Sequence, residues 1–213
     1  MMFLDGFEQG KADFIVILGD GSFDKKVLMG IARKLDGKNI SLGIPSIIFQ
    51  RKTGLRAIDA LKTYIGKSRI SSYIFMTDRD VFKYNPINEI HSYLNSIGIE
   101  VINWHLIKEA YLHECRLGNN AFKLYSIIAG STTFIEEEIA KLLELSLGEK
   151  INLNGERDNS WKNRIKSEVK QILRQKGIKI DKFIINNVNK SILERAFPNI
   201  YAVMKHIEKI HVS

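Results

Sequence analysis

The chain has 213 residues, 45% of them hydrophobic and 26% charged, enough for one sizeable core with a smaller helical unit and too apolar for an intrinsically disordered chain. Its single cysteine, Cys115, excludes an internal disulfide, leaves a thiolate zinc site short of ligands, and reads most simply as a small buried hydrophobe. The net charge of +8 is uneven: residues 151–213 hold 13 Lys and Arg against 6 Asp and Glu, and the first 150 hold 19 against 18. A basic lobe beside a balanced one points to a polyanionic partner or, more blandly, to a solvated basic surface.

Phe14-Ile-Val-Ile-Leu18 is a short, continuous apolar run that ends at Gly19-Asp20-Gly21, as a buried parallel strand does. Val27, Leu28, Ile31, Ala32 and Leu35 then recur at helical spacing, with Ser22 placed to cap. Residues 44–50 read as a second strand and 54–65 as a helix. Ser72–Met76 is a third strand, ending at Thr77-Asp78-Arg79-Asp80. Pro86 opens a helix closed by Gly98, and 99–103 is a fourth strand. This alternation predicts an α/β fold, with about four mainly parallel strands and flanking helices.

After Trp104 the periodicity predicts helices at 106–114, 121–128, 134–147 and 160–176, then two more near 181–195 and 198–210. Thr133 and Glu136 have the spacing of a capping box. Trp161 falls on the apolar stripe of its helix, which makes it a core residue before it is a stacking platform. No apolar run reaches the ~18 residues of a spanning helix, and no basic-then-apolar leader opens the chain, so a cytoplasmic protein with no membrane partner is expected.

Parallel sheets gather ligands at the carboxyl ends of their strands. Two acidic turns fall there: Asp20-Gly21-Ser22-Phe23-Asp24 after the first strand and Asp78-Arg79-Asp80 after the third. Singly, each aspartate is an ordinary turn or cap residue. If the two strands are neighbours, three or four carboxylates converge, and hard oxygen donors with no Cys or His favour Mg²⁺ or Mn²⁺.

These turns resemble the Toprim domain of topoisomerases, primases, small maturation nucleases and the overcoming-lysogenization-defect nucleases. That family carries Glu-Gly-x-x-Asp after its first strand and Asp-x-Asp after its third. The segment Trp104-His-Leu-Ile-Lys-Glu109-Ala-Tyr111-Leu112 resembles the Glu-Asn-Tyr-Leu segment of the overcoming-lysogenization-defect branch. The resemblance spans about residues 13–115. It implies a Toprim-like domain over 10–118, with a basic helical region, 119–213, packed on it.

The activity implied is Mg²⁺- or Mn²⁺-dependent cleavage or nicking of nucleic acid, DNA ahead of RNA. Asp20, Asp78 and Asp80 would be catalytic, and Asp20, Asp24, Asp78, Asp80 and Glu109 would hold the metal. Lys25, Arg51, Lys52, Arg79, Lys162, Lys166 and Lys170 would face the nucleic acid. Asp20 replaces the family's glutamate and is one methylene shorter. The alternative is therefore a catalytically weakened nucleic-acid-binding relative, or a subunit working with an ATPase partner in trans.

Other readings fall to spacing. Gly19–Lys25 lacks the P-loop pattern and the three-glycine dinucleotide pattern. An aspartyl phosphatase places its Asp-x-Asp after the first strand, a topoisomerase needs a second domain, and a zinc-bearing primase needs more cysteines. His105 and His113 flank Glu109 but lack ligand spacing, so a surface or structural role is the simpler reading.

Overall fold

The computed structural model describes residues 1–5, 12–19, 22–35, 40–45, 52–66 and 69–212. The arrangement is α/β, with a mixed, mostly parallel sheet and helices on both faces. Its strands are β1 (Met2–Asp5), β2 (Phe14–Leu18), β3 (Ser41–Ile44), β4 (Ser72–Asp78), β5 (Glu100–Ile107), β6 (Ala110–Leu117) and β7 (Asn120–Ala129). They lie in the order β1-β3-β2-β4-β7-β6-β5, seven strands among the described residues where the sequence suggested about four. From β1 to β7 every pairing is parallel, whereas β7, β6 and β5 form an antiparallel meander.

The helices are α1 (Ser22–Leu35), α2 (Leu61–Tyr64), α3 (Pro86–Ser96), α4 (Ile135–Leu147), α5 (Asn159–Gln175), α6 (Ile180–Asn187), α7 (Lys190–Ala196) and α8 (Pro198–Val212). The segment expected as a helix from residue 54 begins as a 3-10 turn, Gly54–Ala60, and becomes α-helical only at Leu61. The second strand lies earlier than expected, at Ser41–Ile44, and residues 46–51 are outside the described residues.

Alternation along the central strands builds two cores. Phe14, Val16 and Leu18 of β2, Ile74 and Met76 of β4, and Tyr125 and Ile127 of β7 join one core with α1 and α4–α8. Ile15, Ile17, Tyr73, Phe75 and Leu124 point the other way, onto the 3-10 turn, α2 and α3. Strands covered on both faces read as unbroken apolar runs.

The helical reading of 106–114 gives way to the end of β5, a turn and the start of β6, and that of 121–128 to a strand, β7, which that property hides. β7 lies between β4 and β6, and Phe122 and Leu124–Ala129 are buried, so no period of two survives. Leu117-Gly118-Asn119-Asn120 is the hairpin turn between β6 and β7, and Lys108-Glu109 turns β5 into β6 with Lys108 at φ 61. The capping box is also displaced. α4 begins at Ile135, and the carboxylate reaching back to Thr133 is Glu137, not Glu136. Trp161 and Cys115 are buried, as expected.

Candidate functional site at the carboxyl edge of the sheet

β2 and β4 are neighbours, paired from Ile15↔Tyr73 to Leu18↔Met76. The turns that follow them therefore leave the sheet side by side. The close approach requires glycine at position 19: a Cβ there would lie 2.5 Å from Thr77 Oγ1. The Gly19 N–H donates to the Met76 carbonyl at 2.7 Å, and its carbonyl accepts from Gly54 N. Asp20 itself, like Arg51, lies outside the described residues.

Asp78 ends β4 and is 5% exposed. Its Oδ1 accepts from Ile135 N at 2.9 Å, so this strand-end carboxylate caps α4 across the top of the sheet. The Asp80 N–H donates to the Thr133 carbonyl, and its carboxylate accepts from Lys162 Nζ of α5 at 2.6 Å. Arg79 reaches Glu109 at 3.4 Å, while Glu109 N donates to Asn199 Oδ1 at the start of α8. Lys162, Asp80, Arg79 and Glu109 thus form two ion pairs beside the Asp78 cap.

The first turn of α4 brings carboxylates that sequence reasoning assigned no role in the site. Glu136, Glu137 and Glu138 are all buried. Glu137 accepts from Ser131 Oγ and from the N–H and hydroxyl of both Thr132 and Thr133, at 2.6–3.1 Å. Burial pushes its carboxyl upward, but these donors outweigh burial and hold it below the usual glutamate range.

Glu138 behaves oppositely. Burial, with the Asp78 and Glu137 charges adding to it, pushes it up to about 8, against a hydrogen bond from Gly130 and the Lys141 charge. Its Oε2 is buried with no hydrogen-bond partner among the described residues. A signal was present in the sequence: three consecutive glutamates one residue after Ser-Thr-Thr-Phe span about 200° of a helix and cannot all lie on one face.

Glu137 and Glu138 also line a cleft of about 500 Å³ that continues the site toward Lys108, Glu109, Lys141 and Asn199. Arg157 donates to Thr132 Oγ1 at 2.9 Å and stacks 5.0 Å above the Trp161 ring.

The remaining sequence candidates lie on α1, before the 3-10 turn and along α5. Asp24 is buried in the first turn of α1, and Lys25 follows it there. Lys52 is paired with Asp59. Lys166 lies 5.1 Å above the Phe134 ring, and Lys170 is exposed farther along α5, about 12 Å from Lys162 along the axis. His113 is fully buried between His91 and Ser126 Oγ, and burial brings its pKa down to about 3; His105 is exposed beside Glu114.

Among the described residues, no group of three or more His, Cys, Asp or Glu side chains is arranged to hold a metal ion. No helix among them is long and apolar enough to cross a membrane. Fold and site together define an α/β protein with buried carboxylates and paired basic residues at the carboxyl edge of its parallel strands. Compared with protein-family models, curated proteins and solved structures, the chain matches none.

Proposed function

We propose that the chain is a Toprim-like, divalent-metal-dependent hydrolase of nucleic-acid phosphodiesters. One observation carries the reading: β2 and β4 are adjacent and in register, so the turn holding Asp20 departs beside Asp78 at the sheet edge where open α/β folds bind ligands. Asp78 and Glu138 supply hard oxygen donors of the kind Mg²⁺ and Mn²⁺ take. The buried, unpartnered Glu138 Oε2 beside the Asp78 charge fits a divalent cation.

In this reading Asp78 and Glu138 would hold the ion, with Asp20, next in sequence to Gly19, as the third donor. When bound, the ion supplies Lewis-acid polarisation of a phosphoryl oxygen and an activated water. Asp80 and Glu109 act as counter-charges that orient Lys162 and Arg79 toward substrate phosphates. Arg157 and the basic face of α5, with Lys166 and Lys170, extend the track for the backbone.

The test is cleavage of supercoiled plasmid and of labelled single strands with Mn²⁺ or Mg²⁺. Cleavage should vanish with chelator and fall ~100-fold or more in Asp78→Asn and in Glu138→Gln, the scale seen when charge-stabilising groups are removed from an active site. Undiminished cleavage by Asp78→Asn would overturn the proposal.

A second reading is favoured by the Asp80–Lys162 and Arg79–Glu109 pairs, which satisfy two of the expected ligands without a metal. It is a nucleic-acid-binding relative without cleavage. It predicts binding that weakens steeply with salt, is indifferent to chelator, and is accompanied by no metal-stimulated cutting.

A further inference from the structure

The meander half of the sheet ends in a strand whose outer edge meets no further strand among the described residues. Among the described residues β5 pairs only with β6. All five residues from Ile102 to Leu106 are exposed, and three are large and apolar: Ile102 at 56%, Trp104 at 42% and Leu106 at 59%. The β5–β6 register skips Ile102, leaving it out of the ladder. An edge of eight residues with no strand beyond it is a template for another strand, once the Trp104 N–H gives up its 2.9 Å bond to Asn103 Oδ1, and edges of this kind are normally blunted by charge, proline or a covering helix. Here the middle of the strand carries no Lys, Arg, Asp, Glu or Pro.

The sequence indicates which strand fits. We propose that β5 pairs antiparallel with β5 of a second copy of this chain, about a twofold axis at Trp104, joining the two sheets into one. In that register Ile102 faces Leu106, Val101 faces Ile107, Asn103 faces His105, and Glu100 faces Lys108, each pair occurring twice by symmetry. Apolar residues meet apolar ones across the axis, and at its ends Glu100, which Arg116 also holds, comes opposite Lys108 of the β5–β6 turn as an opposite charge.

Neighbouring registers lose this match. A centre at Asn103 sets Glu100 against Leu106, a centre at His105 sets Lys108 against Ile102, and one midway between Trp104 and His105 sets Glu100 against Glu109. Trp104 is also already oriented: its ring lies 6.1 Å from both His91 of α3 and Tyr111 of β6, so little side-chain freedom remains to be lost on association.

Sedimentation equilibrium of the full chain, from ~1 to 100 µM, tests this. The expected mass is twice the 24.4 kDa of one chain. Trp104→Lys and Leu106→Lys put charge into the apolar centre and should each weaken association by ~100-fold, the effect of losing a central interface anchor. Their far-UV circular dichroism should stay that of the wild type, since both positions face solvent in the single chain.

Glu100→Lys and Lys108→Glu should each weaken association several-fold, and the double variant should recover most of it. A single-chain mass at every concentration overturns the proposal, as does a dimer indifferent to Trp104→Lys. A double variant no stronger than either single overturns the register.

Discussion

The two halves of the sheet obey different rules. From β1 to β7 the paired strands are parallel, and the central three, β2, β4 and β7, are buried on both sides between helices. From β7 through β6 to β5 they are antiparallel, linked by turns of two residues, and burial fades until β5 has five exposed residues in a row. Crossover connections bring helix termini to the carboxyl edge of the parallel half, so the buried carboxylates meet there. Hairpins bring nothing over the meander's outer edge, which is left with surface to offer a partner. Chemistry and association thus occupy different halves because their connections differ.

The sharpest way to break that contrast is to remove comparable apolar groups from each half. Ile127 of β7 is 0% exposed. Ile127→Ala should cost about 2–5 kcal/mol in urea unfolding, the usual range for a fully buried aliphatic deletion. Leu106→Ser, at a position 59% exposed, should stay within about 0.5 kcal/mol when measured on the dilute single chain. A Leu106 cost as large as that of Ile127 would mean the meander's edge is covered after all.

The same contrast explains what could be read from the sequence. β2, α1, β4 and α3 were legible because Phe14–Leu18 and Ser72–Met76 are short apolar runs closed by turns, and the helices that follow them keep a clear period. β7 was not, because a strand buried on both faces and a helix buried all round share one composition, and only the Leu-Gly-Asn-Asn turn before it marks a hairpin.

Within the site, Asp78 and its neighbour strand were legible from strand-end position alone. Glu137 and Glu138 were not, since a charge run after a cap-like Thr reads as the solvated first turn of a helix. What buries them is the Gly130 turn, which carries the chain directly from β7 into α4 beside Asp78. That contact is tertiary and leaves no mark in local periodicity.

Glu138 offers a second, smaller separation of the halves, through pH. Its pKa of about 8 in the folded chain stands above the ordinary glutamate value of 4.5, so the native state holds this proton more tightly than the unfolded chain does. The associated stability is complete below pH 4.5, declines as pH rises toward 8, and changes no further above that. Its size is on the order of a few kcal/mol for a fully buried carboxyl. Glu138→Gln should remove this decline and be more stable than the wild type at pH 8, read as the thermal midpoint across the window in metal-free buffer. A wild type whose midpoint stays flat from pH 5 to 8 would remove Glu138 from the dry interior.

The smallest expected effect belongs to the meander. Arg116 of β6 holds Glu100 of β5 through Nε at 3.1 Å and Nη2 at 2.7 Å, directly across the ladder. The geometry is as good as that around Glu137, yet both side chains are more than half exposed. In water the Coulomb gain is small and the ordering of two long side chains opposes it. Arg116→Met should therefore change stability by less than about 1 kcal/mol, and raising salt to ~0.5 M should erase most of the difference. Glu137→Gln, which leaves buried hydroxyl and backbone donors with a poorer acceptor, should cost more and be insensitive to salt. Equal losses in the two variants would mean that the dielectric surroundings, and not only the connections, are alike in the two halves.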